Sequence, residues 1–287
     1  RLPTTLLLKI GTTSLVLDLL ELDHMPKVVL ADAVMPFPGR SPQPDGPWLA
    51  TLAEQITTGL AGIHAARIVH KDIKPANVLI DPQSLRTCII DFGIAAEFGR
   101  AQSNERAKRA EGTLQSMAPE QTGRIGLGID FRTDLYSLGA TLYHLLTGAE
   151  VFDDTGDALA LIQAHVTTVP KAPFERRADV PEPVSRLIMK LLQKDPERRY
   201  QTAWGLRADL IELRRQWDEI GVIAKDFELG AHDASDRLRF PNMLFGREVE
   251  ADALRAALQR VGAGRAELVL IVGPAVIGKS ALASVLR

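Results

Sequence analysis

The sequence predicts an α+β protein, mostly helical in its body, followed by the opening of a separate α/β unit. Three observations carry that expectation. In the body of the protein, short β-like runs fall in the stretch before Asp91. From Asp134 onward, apolar residues recur at the spacing of amphipathic helices, with prolines in the gaps. Near the far end, the apolar run Glu267–Val272 leads into a glycine-bearing turn and a helix-forming stretch, as a buried strand and its following helix would.

In chain order, β-like runs cover Ser14–Leu20 and Lys27–Val34, separated by the turn-forming Asp23-His24-Met25-Pro26. Pro36–Pro47, rich in Pro and Gly, reads as a loop or hinge. Leu49, Leu52, Ile56, Leu60 and Ile63 mark an amphipathic helix over Trp48–Arg67. Strand-like runs at Val78–Ile80 and Thr87–Ile90 flank an Asp81-Pro82 turn, and a charged loop covers Gly99–Glu111. Helices are expected over Leu135–Thr147, Ala158–Val166, Val184–Gln193, Ala203–Trp217 and Glu248–Val261. Asp218–Pro241 is mixed and charged and reads as a linker.

Composition narrows the function classes. A length of 287 residues allows one large domain or two smaller ones, and 46% apolar content supports a sizeable core. A net charge of −2 gives no reason to expect nucleic acid or an anionic membrane as partner. Cys88 is the single cysteine, so it forms no internal disulfide; lying in the run Thr87–Ile90, it is expected to be a buried core thiol, and a reducing, cytoplasmic setting fits. Leu2–Leu22 is interrupted by Lys9, Asp18 and Glu21, so it reads neither as a signal sequence nor as a span. Beginning at Arg1 and stopping after Arg287, the chain reads as a fragment.

The residues richest in chemistry are His70-Lys71-Asp72-Ile73-Lys74-Pro75-Ala76-Asn77, then Asp91-Phe92-Gly93, then Ala118-Pro119-Glu120. Taken singly, Asp72, Asn77 and Asp91 could merely cap turns. Together, in this order and spacing, they resemble the catalytic-loop, metal-binding and activation-segment signatures of the protein kinase family, over roughly residues 14 to 217. The resemblance implies a kinase-like fold with a mostly helical C-terminal lobe and a truncated N-terminal lobe. It further implies transfer of the ATP γ-phosphoryl group to a protein serine or threonine, because Lys-Pro-Ala-Asn after the aspartate is the serine/threonine form.

Phosphoryl transfer asks mainly for positioning and charge neutralisation. On the resemblance, Asp72 orients and deprotonates the acceptor hydroxyl, and Lys74 neutralises the transferring group. Asn77 and Asp91 offer hard oxygens to magnesium (Mg2+). Gly93 and Thr113 belong to the activation segment, with Gly112-Thr113 beside the acceptor hydroxyl. Asp134 resembles the buried helix aspartate that bonds the catalytic-loop backbone, and Arg199 the arginine that pairs with Glu120. His64 is expected to be a packed helix residue rather than a ligand.

Two departures matter. Lys71 stands where an arginine is usual, and an ammonium cannot fork onto a phosphate. Phosphorylation of the activation loop, at Ser103 or less favourably Thr113, is therefore not expected to be the main switch. The smaller lobe should bring a glycine-rich loop, a strand lysine and a helix glutamate. Lys9 has the local look of such a lysine, but no helix with a partner glutamate fits beside it, so activity is expected of a longer parent.

Gly273-Pro274-Ala275-Val276-Ile277-Gly278-Lys279-Ser280 fits the phosphate-binding loop pattern. Gly273 and Gly278 would let backbone amides cradle phosphates, Lys279 would reach them and the Ser280 hydroxyl would ligate magnesium. Val276 sits where such loops often carry glycine. Phe245-Gly246-Arg247-Glu248 resembles the opening of AAA-type signal-transduction ATPases. The whole order resembles large bacterial signalling proteins in which a serine/threonine kinase precedes an ATPase, with sensor and histidine kinase modules following.

The expected domains are thus 1–217 (kinase, N-terminal lobe incomplete), 218–243 (linker) and 244–287 (start of a P-loop ATPase). The implied cofactors are ATP and magnesium, the implied partner a protein substrate. The rival readings are a non-catalytic pseudokinase that regulates the ATPase, or an ATPase switch with the kinase lobe as its sensor arm.

Overall fold

The computed structural model describes residues 5–10, 13–18, 28–30, 46–81, 86–98, 113–153, 156–233, 247–273 and 282. The chain forms two compact units, residues 1–235 and 236–287. Among the described residues, three small antiparallel sheets and a helical body make up the first. Strands β1 (Thr5–Ile10) and β2 (Thr13–Asp18) form one sheet, in a register running from Thr5 opposite Asp18 to Ile10 opposite Thr13. This hairpin contains Lys9, whose register partner is Ser14. Strand β3 (Val28–Val29) falls within the run expected over Lys27–Val34 and ends before Leu30; residues 27 and 31–34 lie outside the described residues.

Helix α1 (Gly46–Ala65) buries Leu49, Leu52, Ile56, Leu60 and Ile63, the stripe the sequence spacing marks. It leads to β4 (Ile68–Val69), which pairs with β7 (Ala96–Glu97). Between them, β5 (Val78–Ile80) and β6 (Thr87–Ile89) form a hairpin, with β3 on the other edge of β5. Cys88 on β6 is half-buried rather than sealed in the core, and burial pushes its thiol pKa up.

Helix α2 (Phe131–Thr147) is buried on almost every side, which makes it the axis of the unit. The Asp130 carboxylate caps its start by accepting the Arg132 N–H at 2.8 Å. Around it lie α3 (Ala158–Thr167), the short α4 (Pro173–Arg176), α5 (Glu182–Leu191) and α6 (Ala203–Ile220). A Cβ on Gly139 would stand 2.6 Å from the Leu191 Cβ, so only glycine lets α2 and α5 approach this closely. No helix among the described residues is long and apolar enough to cross a membrane.

The stretch expected as a linker from Asp218 differs. Its first residues complete α6, and residues 221–233 then fold back along α5 and α6 as a strap. Ile223 is buried, and Phe227 and Leu229 pack on the core. Arg186 donates to the carbonyls of Lys225 (2.7 Å) and Phe227 (3.0 Å), and Asp209 accepts the Gly230 N–H at 2.6 Å. The Asp233 carboxylate closes the strap on the start of α6, accepting from Gln201 N (2.6 Å), Thr202 N (3.0 Å) and Thr202 Oγ1 (2.9 Å). Apart from the Thr202 hydroxyl these partners are backbone groups, which side-chain composition does not reveal.

In the second unit, α7 (Glu248–Gly262) packs Ala251 and Leu254 against Leu282 and Ile271. The buried strand expected over residues 267–272 is absent: Leu268 is 95% exposed and Leu270 82%. A strand exists only where a neighbour pairs its backbone. Among the described residues none runs beside this one.

Candidate active site

β4 delivers the chain into the loop His70–Asn77, and one buried carboxylate sets that loop's shape. Asp134, in the first turn of α2, accepts the His70 N–H at 2.9 Å and the Lys71 N–H at 2.7 Å. Lys71 holds φ at 71°, in the left-handed region. Such a residue after an ordinary one turns successive N–H groups to the same side, a concavity suited to an anion. The His64 Nε2 lies 2.9 Å from the same carboxylate while the ring packs against Phe131, so His64 is a packed helix residue that also braces the loop. From the other side, the Gln121 amide donates to the Lys71 carbonyl at 2.8 Å and accepts the Ala118 N–H at 2.9 Å.

The loop presents Asp72 to a tight polar cluster. Lys74 Nζ stands 2.7 Å from one Asp72 oxygen and donates to the Thr113 hydroxyl at 2.6 Å. That hydroxyl in turn donates to the other Asp72 oxygen at 3.0 Å, and the Thr113 N–H reaches it at 3.1 Å. The Asn77 amide nitrogen donates to the Asp72 carbonyl (2.9 Å) and carboxylate (3.0 Å). Burial pushes the Asp72 carboxyl pKa up, but the bonds from Lys74 and Thr113 and the Lys74 charge outweigh it and hold it below the ordinary aspartate value. Asp72 is therefore a carboxylate at neutral pH.

The β5–β6 hairpin brings Asp91 to the same end as Asn77, because the Ile90 N–H donates to the Asn77 carbonyl at 2.9 Å. Asp91 is exposed, has φ of 64° and accepts the Gly93 N–H at 3.2 Å. Phe92 stands edge-on to His70, with ring centres 4.8 Å apart. With the Asn77 nitrogen donating to Asp72, its amide oxygen is left as the acceptor. That oxygen and the Asp91 carboxylate are the hard donors that could hold magnesium, an ion that takes few protein ligands and completes its shell with water and phosphate. Among the described residues no larger cluster of His, Cys, Asp and Glu suits a metal.

Glu120 and Arg199 meet in a buried forked pair, at 2.7 and 2.9 Å. Thr133 adds a bond to Glu120 at 2.8 Å. Gln121 and the buried His165 carry no expected role in the sequence; Gln121 follows directly on Ala118-Pro119-Glu120, and that adjacency is its one signal. Of the phosphate-loop residues, Gly273 ends a described stretch, whereas Gly278, Lys279 and Ser280 lie outside the described residues, as does Ser103.

Comparison with known proteins agrees with this layout. Residues 19–210 match the protein kinase domain, and residues 243–287 match the AAA ATPase domain. The chain is 40% identical over 154 residues to the serine/threonine-protein kinase PknB of Mycolicibacterium smegmatis, covering 52% of this chain and 24% of that protein. It is 33% identical over 189 residues to the hybrid signal transduction histidine kinase G of Dictyostelium discoideum, covering 59% of this chain and 6% of that protein. With the serine/threonine-protein kinase pkn3 of Myxococcus xanthus it shares 32% identity over 167 residues, 55% of this chain and 30% of the other. The chain thus spans less than a third of the length of these relatives.

Proposed function

Because the chain belongs to the protein kinase domain family through residues 19–210, we propose that its first unit transfers the γ-phosphoryl group of ATP to a serine or threonine hydroxyl of a protein substrate. One observation carries this reading: the Asp72 carboxylate is kept ionised and aimed by Lys74, Thr113 and Asn77 together. A surface aspartate capping a turn needs no such company.

Asp72 accepts the proton of the acceptor hydroxyl and orients its oxygen. Lys74 holds Asp72 in place and places a positive charge where the transferred group passes. Asn77 and Asp91 would hold magnesium, which when bound would neutralise phosphate charge. Thr113 lines the acceptor side, its hydroxyl fixed between Asp72 and Lys74. Asp134 and the Glu120–Arg199 pair keep the loop and the activation segment in register. The serine/threonine preference is supported by the names of the bacterial relatives.

We further propose that residues 244–287 open a nucleotide-binding ATPase domain whose phosphate loop uses Gly273, Gly278, Lys279 and Ser280. On this reading the chain is part of a multidomain signalling protein, and the likeness to a hybrid histidine kinase supports sensor and histidine kinase modules alongside. The test is transfer of label from γ-labelled ATP by the full-length protein with magnesium, followed by phosphoamino-acid analysis. Labelled serine or threonine is expected; label on neither, from folded protein, overturns the reading.

A further inference from the structure

His165, on α3, takes no part in the chemistry above, yet it is 1% exposed and built into a directed chain of hydrogen bonds. Its Nδ1 lies 3.0 Å from the Tyr136 hydroxyl, and Lys194 Nζ lies 3.3 Å from the same hydroxyl. The chemistry of these groups favours one direction. An ammonium can only donate, so the Tyr136 oxygen accepts from Lys194, and the hydroxyl is fully satisfied when its single hydrogen goes to His165 Nδ1. Nδ1 is then the acceptor, and the proton of the neutral ring resides on Nε2.

That Nε2–H is fully buried and has no hydrogen-bond partner of ordinary geometry. The helix that carries it, α3, packs on the Leu114–Ser116 turn, and the Leu114 backbone lies near enough to act on the ring's charge. The Leu114 carbonyl has capacity for the Nε2–H, since the turn bond it accepts from the Met117 N–H is stretched to 3.5 Å. Leu114 follows Thr113 directly and begins the turn Leu114–Ser116, against which α3 packs. The surroundings hold the ring neutral. Burial and the Lys194 ammonium push its pKa down to about 4, against a smaller upward pull from Leu114. Phe152 stands edge-on at 5.0 Å between ring centres.

We propose that His165 is a positioning residue: with Tyr136 and Lys194 behind it, it steadies the Leu114–Met117 turn, and through that turn the placement of Thr113 against Asp72 on the acceptor side. The consequence for substrate rests on the phosphoryl-transfer reading above. The consequence for the turn does not. The partner affected is the polypeptide acceptor, since the nucleotide side is held by Asn77 and Asp91.

Two variants of the full-length protein separate tethering from packing. His165→Phe keeps an aromatic ring beside Tyr136 and Phe152 and removes both nitrogens. His165→Gln restores a donor and an acceptor. Amide hydrogen exchange at Ser116 and Met117 is expected to quicken about tenfold in His165→Phe and in Tyr136→Phe, with the middle of α2 unchanged, and to return toward the parent rate in His165→Gln. In phosphoryl transfer, the KM for an acceptor peptide is expected to rise about tenfold in His165→Phe while the KM for ATP stays constant. Unchanged exchange at Ser116 and Met117 overturns the tether whether or not transfer is detected. Faster exchange in α2 to the same degree also overturns it, because the residue would then be ordinary packing. Altered exchange with an unmoved peptide KM overturns the substrate-positioning role.

Discussion

Arg199 forks onto Glu120 across 79 positions of sequence, Nη1 to Oε1 at 2.7 Å and Nη2 to Oε2 at 2.9 Å. The three remaining N–H bonds go to the carbonyls of Gln193, Arg132 and Lys194, so the whole guanidinium is satisfied out of water. Removing one partner of such a pair strands the other charge. Arg199→Leu is expected to destabilise the first unit by about 3–5 kcal/mol. Arg199→Lys should recover little, because an ammonium cannot fork. Urea denaturation of the parent and both variants checks this; a loss below about 1 kcal/mol for the leucine variant contradicts it.

The strap makes a second prediction. A methyl group on Gly205 would overlap Asp233, the residue that ties the strap to the start of α6. Gly205→Ala is expected to cost about 1–3 kcal/mol and to release residues 221–233. Tryptic cleavage after Lys225 should then quicken about tenfold in the folded protein. Cleavage at the parent rate would mean that the strap contributes nothing to the unit's stability.

Acid should weaken the fold through His165. Its ordinary pKa is 6.5, and in the folded protein burial and Lys194 lower it to about 4. Between those values the unfolded chain binds a proton that the native ring refuses. The stability linked to His165 is thus complete above pH 6.5 and declines as pH falls toward about 4, by up to about 3 kcal/mol. The stability gap between the parent and the non-titrating His165→Gln should shrink over that window. A gap independent of pH contradicts the prediction.

Activation-loop phosphorylation should matter little, because Lys71 cannot fork onto a phosphate as an arginine would. Thr113 is a poor acceptor for such a switch: its hydroxyl already bonds Lys74 and Asp72, and a phosphate there would face the Asp72 carboxylate. Phosphatase-treated and untreated full-length protein should show equal activity. A fall of about tenfold or more on treatment contradicts this.

How much of this was legible in the sequence follows from what each feature depends on. The helices were readable because their apolar spacing is local: all five residues marked on α1 are buried, with Ala53, Thr57 and Ala61 beside them. The loop His70–Asn77 was readable because its residue types and spacing are fixed by chemistry. The strap was not, because Arg186, Asp209 and Asp233 bond to backbone groups that composition does not reveal. Nor was the His165 chain, whose members stand on different elements and carry no shared motif. The run 267–272 is apolar enough for a buried strand, yet pairing, which decides strands, is not a local property. Positive φ at Lys71 and Asp91 was equally hidden, since neither is a glycine.

The most direct measurement is phosphoryl transfer by the full-length protein beside its Asp72→Asn variant, with magnesium present and both shown to be folded. Asparagine keeps the shape of the cluster around Lys74 and Thr113 but cannot accept the acceptor's proton. Label on serine or threonine that falls by about a hundredfold or more in the variant is the predicted result. Equal labelling in both would remove Asp72 from the centre of the chemistry, and labelling in neither would leave a regulatory module with the shape of a kinase.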